Sequence, residues 1–421
     1  MAQGQENHMI LTEDLALKNV RPFFYKSFCV RFMGKEKKMT PWESIARELF
    51  SGVLGMGDPR VWFMFLIGGL LIWLGVKKDY EPLLLFPMGV GCILANIPGH
   101  FAVIPAGGGE PGFLSVLYNA GIANELFPVL IFIAVGAMCE FDPLIRAPYV
   151  MLFAAAAHFG IFAAALLAAA FGFSFNEAAA IGIIGAADGP TTIFVAQKFA
   201  QDLLAPLTVT AFCYMSLVPI IQPPIVKLLT MKAERRIRMP FRAERPVSWT
   251  ARFLFPLMVV LVAGILAPIS VPLIGALMFG NLLKVSGVTD SLSNAAQNEL
   301  ANLVTLLLGI TVGATMTADN ILTLDVLKIL LLGAAAFVFD TVGGVLFAKV
   351  VNLFLKKKVN PMIGACGISA FPVSGRVIAR MALREDSSNY IIQHAMGVNV
   401  AGQVASVVAG GLVMALIPVL M

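Results

Sequence analysis

Apolar runs of helical length alternate with short polar connectors along almost the whole chain. They fall at about 61–76, 82–98, 125–141, 149–171, 177–199 and 205–226. After a basic stretch they resume at 253–267, 270–285, 299–316, 325–354, 360–381 and 390–420. A bilayer-spanning helix needs roughly 20 mainly apolar residues, and about ten of these runs qualify. The pattern predicts an all-α polytopic membrane protein. Two runs are interrupted. The run 177–199 carries Gly182, Gly185, Gly189 and Pro190, and the run 360–381 carries Pro361, Gly364, Gly367, Pro372 and Gly375. Such interruptions suit broken or re-entrant helices, whose freed backbone groups line a cavity.

The second set of runs repeats the first. Val135-Gly136-Ala137-Met138, then Phe141-Asp142-Pro143, is echoed by Val312-Gly313-Ala314-Thr315-Met316, then Ala318-Asp319-Asn320. Ile184-Gly185-Ala186 is echoed by Ile363-Gly364-Ala365. The offsets are 177 and 179, so the register barely drifts. This divides the chain into a polar arm (1–58), a first membrane repeat (59–226), a basic loop (227–252) and a second membrane repeat (253–421).

Charge changes the picture by fixing orientation. Lys227, Lys232, Arg235, Arg236, Arg238, Arg242, Arg245 and Arg252 face only Glu234 and Glu244 in the loop. Positive loops stay inside, so this loop is expected in the cytoplasm, as is the connector with Lys356, Lys357 and Lys358. The latter's counterpart, Phe171 to Glu177, has no Lys or Arg. Equivalent loops then lie on opposite sides, which makes the repeats inverted, a plan shared by many secondary transporters. Counting crossings from Phe173 to Lys227 then requires 177–199 to turn back inside the membrane. Lys77 and Lys78 also want the inside, which places Pro59 outside.

Composition agrees. Hydrophobic residues make up 58% and charged residues 13% of 421 positions, against about a quarter charged in soluble domains. The net charge of +5 sits in loops and the arm without interleaved aromatics, so no nucleic acid is expected. Five scattered cysteines and four histidines show no disulfide or zinc spacing. The arm has no apolar signal core. Its Trp42–Leu54 stretch reads equally as a surface amphipathic helix or a plain linker.

Ionisable and amide groups inside spans are costly and usually functional. Asp188 stands at the first interruption, in Gly185-Ala186-Ala187-Asp188-Gly189-Pro190-Thr191-Thr192. There a carboxylate and freed carbonyls suit a hard, oxygen-liganded cation, although Asp before Gly-Pro also suits a helix cap. Tyr214 could complete such a site or merely pack. In the second interruption Asn360 reads as a ligand or a cap. Ser369 lies 181 residues after Asp188 and would face it across the pseudo-twofold axis. Arg376 could clamp a carboxylate in bidentate fashion or snorkel to the interface. Asn399 offers an amide carbonyl or an interhelical hydrogen bond. Asp340 is a further intramembrane acid without an assigned role, and Asp142 and Glu140 are placed at an interface.

Several motifs together resemble one family. Glu81-Pro82-Leu83-Leu84-Leu85, Ala95-Asn96-Ile97-Pro98, GAADGPTTIF (185–194), YMSLVPIIQPP (214–224), NPMIGACGISAFP (360–372) and AMGVNVAGQ (395–403) look like the membrane β subunit of the sodium-translocating, biotin-dependent decarboxylases. The resemblance runs from about Val61 to the C-terminus. It implies a multi-pass inner-membrane subunit that decarboxylates carboxybiotin, consumes a proton and drives Na+ out of the cytoplasm. It implies a carboxyltransferase α subunit, a biotin carrier subunit and a small membrane subunit as partners, with homo-oligomers conceivable. Family roles carried onto matching positions put Asp188, Tyr214, Asn360, Ser369 and Asn399 around Na+. They put Arg376, Ser369 and Asn360 around carboxybiotin, with Arg376, Asp188 and Tyr214 in the chemistry. The long arm departs from the family. The short connector between Gly99 and Glu125 resembles the acyl-CoA enzymes, and Phe337–Ile378 looks like the glutaconyl-CoA type. A Na+-coupled carrier of a small carboxylate is the rival that would use the same architecture.

Overall fold

The computed structural model describes residues 55–420 together with Gly52, apart from 79, 100–101, 104–109 and 240–245. The Trp42–Leu54 stretch, Gly52 aside, and the rest of the arm before it lie outside the described residues. Everything below concerns the unit that begins at Met56. Among the described residues there is no strand. The helices are α1 (Pro59–Lys78), α2 (Pro82–Asn96), α3 (Phe113–Gly121), α4 (Leu126–Met138), α5 (Val150–Ala170), α6 (Phe175–Ile183) and α7 (Gly189–Phe199). They continue with α8 (Leu204–Leu229), α9 (Trp249–Leu266), α10 (Val271–Val285), α11 (Ala301–Ala314), α12 (Leu324–Phe354), α13 (Val373–Glu385) and α14 (Ile392–Leu420). Seven helices are long and apolar enough to cross a membrane. The bent pair α3–α4, with 63° between its members, makes an eighth.

Burial separates a lipid-facing rim from a centre. Only 11% of the apolar stretch of α9 is buried in the protein, against 72% of that of α14. Trp62, Phe63, Leu66 and Trp73 on α1, and Leu254, Leu261 and Ile265 on α9, are exposed. Large apolar side chains in such rows face lipid tails in a polytopic protein. The protein is thus a multi-pass membrane protein.

Two interhelical contacts share one glycine register. On α2 and α11, a Cβ on Gly91 would overlap the Ile310 carbonyl, and one on Gly313 would overlap the Met88 carbonyl. On α10 and α4, a Cβ on Gly280 would overlap the Ile133 carbonyl, and one on Gly136 the Leu277 carbonyl. Small residues let helix backbones approach this closely. Gly136 and Gly313, the glycines of the two Val-Gly-Ala segments, each sit at such a close contact.

The interrupted runs break where expected. α6 opens on a capping box, with Ser174 accepting from the Glu177 amide and Glu177 accepting from the Ser174 amide. It tightens into a 3-10 turn at Ile184–Ala186, and Ala187 takes a left-handed conformation (φ 52°) before α7 starts. The far end of α7 returns to the start of α4, where Lys198 pairs with Glu125 at 3.7 Å. The second interruption is a 3-10 turn, Pro361–Gly367, an extended stretch through Ile368, and α13. Asn360 at its start donates to the Arg235 carbonyl, and Glu385 at its end pairs with the Arg235 side chain at 2.8 Å. Each broken run therefore leaves at the end where it entered.

Other boundaries moved slightly. α8 carries Lys227 in its last turn and α9 carries Arg252 in its first, which narrows the basic connector to 230–248. Helix α3 was not anticipated. Glu125, at φ 64°, makes the turn that separates it from α4. Asp142 pairs with Arg252, and Glu140 with Lys284 at 3.5 Å, at the ends of their helices.

Candidate functional site

The two breaks meet. The Ser369 amide of the second donates to the Ala186 carbonyl of the first at 2.9 Å. Asp188 follows two residues later, extended and 4% exposed. It is the N-cap of α7, accepting from the Thr191 amide at 3.4 Å. Its carboxylate also accepts from the Thr191 hydroxyl at 2.8 Å and from Ser406 of α14 at 2.6 Å. The cap reading of Asp188 holds, and the residue also lines a cavity of about 160 Å³. A charge-assisted hydrogen bond is stronger than a neutral one, so these hydroxyls orient the group.

The cavity is lined from the breaks by Asp188, Ser369 and Phe371, from α14 by Gln403, and from α8 by Phe212 and Met215. Across it stand Glu81 and Leu84 of the α2 start, Phe132 of α4 and Thr305 of α11. It lies between the helices that carry the breaks and those joined by the glycine contacts. Gln403 donates to the Ser369 carbonyl. Ser369 Oγ donates to the Gly402 carbonyl at 2.9 Å. Asn399, fully buried, donates to the carbonyls of Cys366 (3.2 Å) and Ile368 (2.8 Å), while its Oδ1 accepts no hydrogen bond. Two amides of α14 thus brace the second break. Among the described residues no three His, Cys, Asp or Glu side chains gather. A cation here would meet the acids Asp188 and Glu81 together with hydroxyl, amide and main-chain oxygens, the donor set of a hard ion.

The structure does not bring every expected residue to this cavity. The Tyr214 hydroxyl donates to the Leu330 carbonyl of α12 at 2.6 Å, one position before the cavity-lining Met215. Asn360 caps its own turn, accepting from the Met362 amide at 3.1 Å, and its amide group is spent on the Arg235 and Ile237 carbonyls. Arg376 is exposed and lines a separate cavity of about 270 Å³ between the end of α13 and the start of α14. Asp340 is fully buried beneath the first break. A Cβ on Gly185 would stand 2.6 Å from its Oδ2, and the amides of Gly160 and Ile161 point toward it without completing well-formed hydrogen bonds.

Thr191, Gln403 and Ser406 went unread in the sequence. A signal was available. Asn399, Gln403 and Ser406 sit at i, i+4 and i+7 in the mainly apolar part of the helix, so they share one face.

Comparison with known proteins agrees with this picture. Residues 60–417 match the family described as Na+-transporting oxaloacetate decarboxylase beta subunit. The chain is 46% identical to the methylmalonyl-CoA decarboxylase subunit beta of Veillonella parvula, over 84% of this chain and 92% of that protein. It is 45% identical to the glutaconyl-CoA decarboxylase subunit beta of Acidaminococcus fermentans, with the same coverage. It is 41% identical to the oxaloacetate decarboxylase beta chain 2 of Salmonella typhimurium, over 86% of this chain and 96% of that one. The last alignment runs over 419 residues, the other two over 354. The near-equal identities do not separate the glutaconyl-CoA type from the methylmalonyl-CoA type.

Proposed function

The chain belongs to the family of Na+-transporting oxaloacetate decarboxylase beta subunits, and on that footing we propose that it decarboxylates carboxybiotin and exports Na+ from the cytoplasm. The observation that carries this reading is the meeting of two breaks, entered from opposite ends, at a cavity holding Asp188 and Ser369. Lys77, Lys78, Lys227, Arg235, Arg252, Lys284 and Lys356–Lys358 all close one end of the bundle, which positive charge makes the cytoplasmic one. Arg60, at the start of α1, pairs instead with Asp319 at 3.1 Å, on the opposite, acidic side. On this orientation the first break enters from outside, the second from the cytoplasm, and the repeats are inverted.

The residues divide the work. Asp188, oriented by Thr191 and Ser406, holds the ion with Ser369 and Gln403 beside it. Tyr214, Asn360 and Asn399 hold the frame: α8 on α12, the second break on the basic connector, and α14 on the second break. Arg376 meets the carboxylate on the cytoplasmic side. Cleaving the N–C bond of a carboxylated ureido nitrogen releases CO2 and requires one proton on that nitrogen. Asp188, alternating between Na+ and a proton, links that demand to ion movement, and relative motion of the two groups of helices exposes the cavity to each face. The acyl group is chosen by a separate carboxyltransferase, and a biotin carrier subunit delivers the carboxyl. Inverted vesicles carrying the assembled complex test this. Sodium uptake should follow decarboxylation and stop when avidin sequesters biotin. Uptake that persists with avidin would make the chain a plain carboxylate carrier.

A further inference from the structure

Two acids line the cavity at Asp188, and the mechanism above uses only one of them. The other is Glu81, which enters from the start of α2, across from the breaks. Apart from Thr305, its companions there are apolar: Leu84, Ile131, Phe132 and Val135. Glu81 is half-buried where Asp188 is 4% exposed, so it stands nearer the water. It follows closely on Lys77 and Lys78, at the end of the bundle that positive charge makes cytoplasmic. Neither lysine neutralises it. Lys78 lies over the Trp73 ring, 5.4 Å from its centroid, and Glu81 joins no ion pair among the described residues. Its side chain does not cap α2 either, although its backbone is the N-cap. That backbone is left-handed (φ 37°), a region that favours glycine or asparagine, so the turn by itself does not call for a glutamate.

The far side of the same boundary offers a contrast. There α7 is held to α3 and α4, with Lys198 pairing with Glu125 at 3.7 Å and Tyr118 donating to Gln197 at 3.3 Å. The acid at the outer end has its cation, and the acid at the cytoplasmic end has none. A charge of one sign between low-dielectric walls raises the local concentration of its counter-ion at the mouth of a cleft. We propose that Glu81 captures Na+ from the cytoplasm and hands it to Asp188, so that the ion meets two acids in series, one on each group of helices. The inference rests on the decarboxylase reading and its orientation, and adds the point of entry. Glu81 stands on the helices joined by the glycine contacts and Asp188 on those that carry the breaks. Relative motion of the two groups therefore parts the acids, and the loaded ion leaves its entry group behind.

Inverted vesicles turn the cytoplasmic face outward, so Na+ in the bath is the probe. The initial rate of Na+ uptake by the assembled complex is measured against bath Na+ for wild type, Glu81→Gln and Glu81→Asp. At low ionic strength Glu81→Gln should raise half-saturating Na+ about tenfold, with a smaller fall in the maximal rate. Added choline chloride should shrink that difference, because salt screens a charge at a water-filled mouth. Glu81→Asp keeps the charge and should recover most of the loss. An unchanged half-saturating Na+ in Glu81→Gln would overturn the inference. So would a loss that Glu81→Asp shares and that saturating Na+ does not relieve, the mark of a structural residue. Avidin tests the underlying reading separately: wild-type uptake that persists with biotin sequestered rejects the decarboxylase reading, whatever Glu81 does.

Discussion

The two breaks share a frame but not a chemistry. Each is a 3-10 turn followed by extended residues and a helix that turns back, and the two are joined by the Ser369–Ala186 hydrogen bond. The first carries a carboxylate on which Thr191 and Ser406 converge. The second carries no ionisable group at its turn, and its carbonyls are braced by neutral amides from Asn399 and Gln403. The two breaks share a geometry, and single positions decide which of them bears charge. The other acid that lines the cavity, Glu81, comes from the start of α2 and from neither break.

The strongest way to break this asymmetry is to remove its charge. Asp188→Asn keeps the cap but deletes the carboxylate. Uncoupling a buried charge from its partner costs about 3–5 kcal/mol, so sodium uptake and Na+-stimulated decarboxylation should fall at least ~100-fold. The subunit should still insert and assemble. A normal, sodium-stimulated rate in this variant would move the cation elsewhere. Protons and Na+ compete for the same carboxylate, so the wild-type half-saturating Na+ should rise as pH is lowered, and Asp188→Glu should need more sodium for partial activity.

Crowding the breaks sharpens the comparison next. A Cβ on Gly364 would overlap the Gly344 carbonyl, a backbone atom that cannot swing away, whereas one on Gly185 meets the Asp340 side chain at 2.6 Å. Overpacking costs about 1–3 kcal/mol, and Gly364→Ala should lower thermal stability in detergent more than Gly185→Ala does. Asp340→Ala should relieve the second substitution and leave the first unaffected, a coupling that a double-mutant cycle measures.

Arg376→Lys probes the side of the second break where charge reappears. It keeps the positive charge but loses the planar fork, so decarboxylation should drop about tenfold, the value of roughly 1.4 kcal/mol, while Na+ half-saturation holds. A near wild-type rate would return Arg376 to an interfacial role. Ser406→Ala removes one donor to Asp188 and should raise half-saturating Na+ only a few-fold, since such a bond contributes about 1 kcal/mol.

The smallest effect belongs to the ion pair Arg238–Asp386, at 2.6 Å. The Arg238 guanidinium, together with the Ser388 amide, holds the Asp386 carboxyl below its usual value. A depressed carboxyl contributes stability that is present above its unfolded pKa and lost as pH falls through the lowered one. Attachment of the basic connector, followed by limited proteolysis, should therefore be flat between pH 6 and 8. Asp386→Asn should leave sodium uptake unchanged in that range, and a large loss would give this pair a role beyond tethering.

Much of this was legible in the chain. Length and hydropathy determine where helices run, since a bilayer leaves the backbone no other way to satisfy itself. Glycine and proline marked both breaks, and an acid amid apolar residues marked Asp188, because each departs from a local rule that a plain helix obeys. The repeat offset pointed to Ser369, which lines the same cavity as Asp188. What only the tertiary structure decided is which side chains converge. Tyr214 turned to α12 and Asn360 to the basic connector, while Gln403 and Ser406 arrived from a helix more than 200 residues away from Asp188 in sequence. Arg376 and Asp188, grouped in the chemistry by the family resemblance, line different cavities. Helix direction is a local property, set within a few residues by periodicity and breaks. The rotation of one helix against another is set by packing across the bundle, and that rotation chooses whether a polar side chain faces the ion, a carbonyl or the cytoplasm.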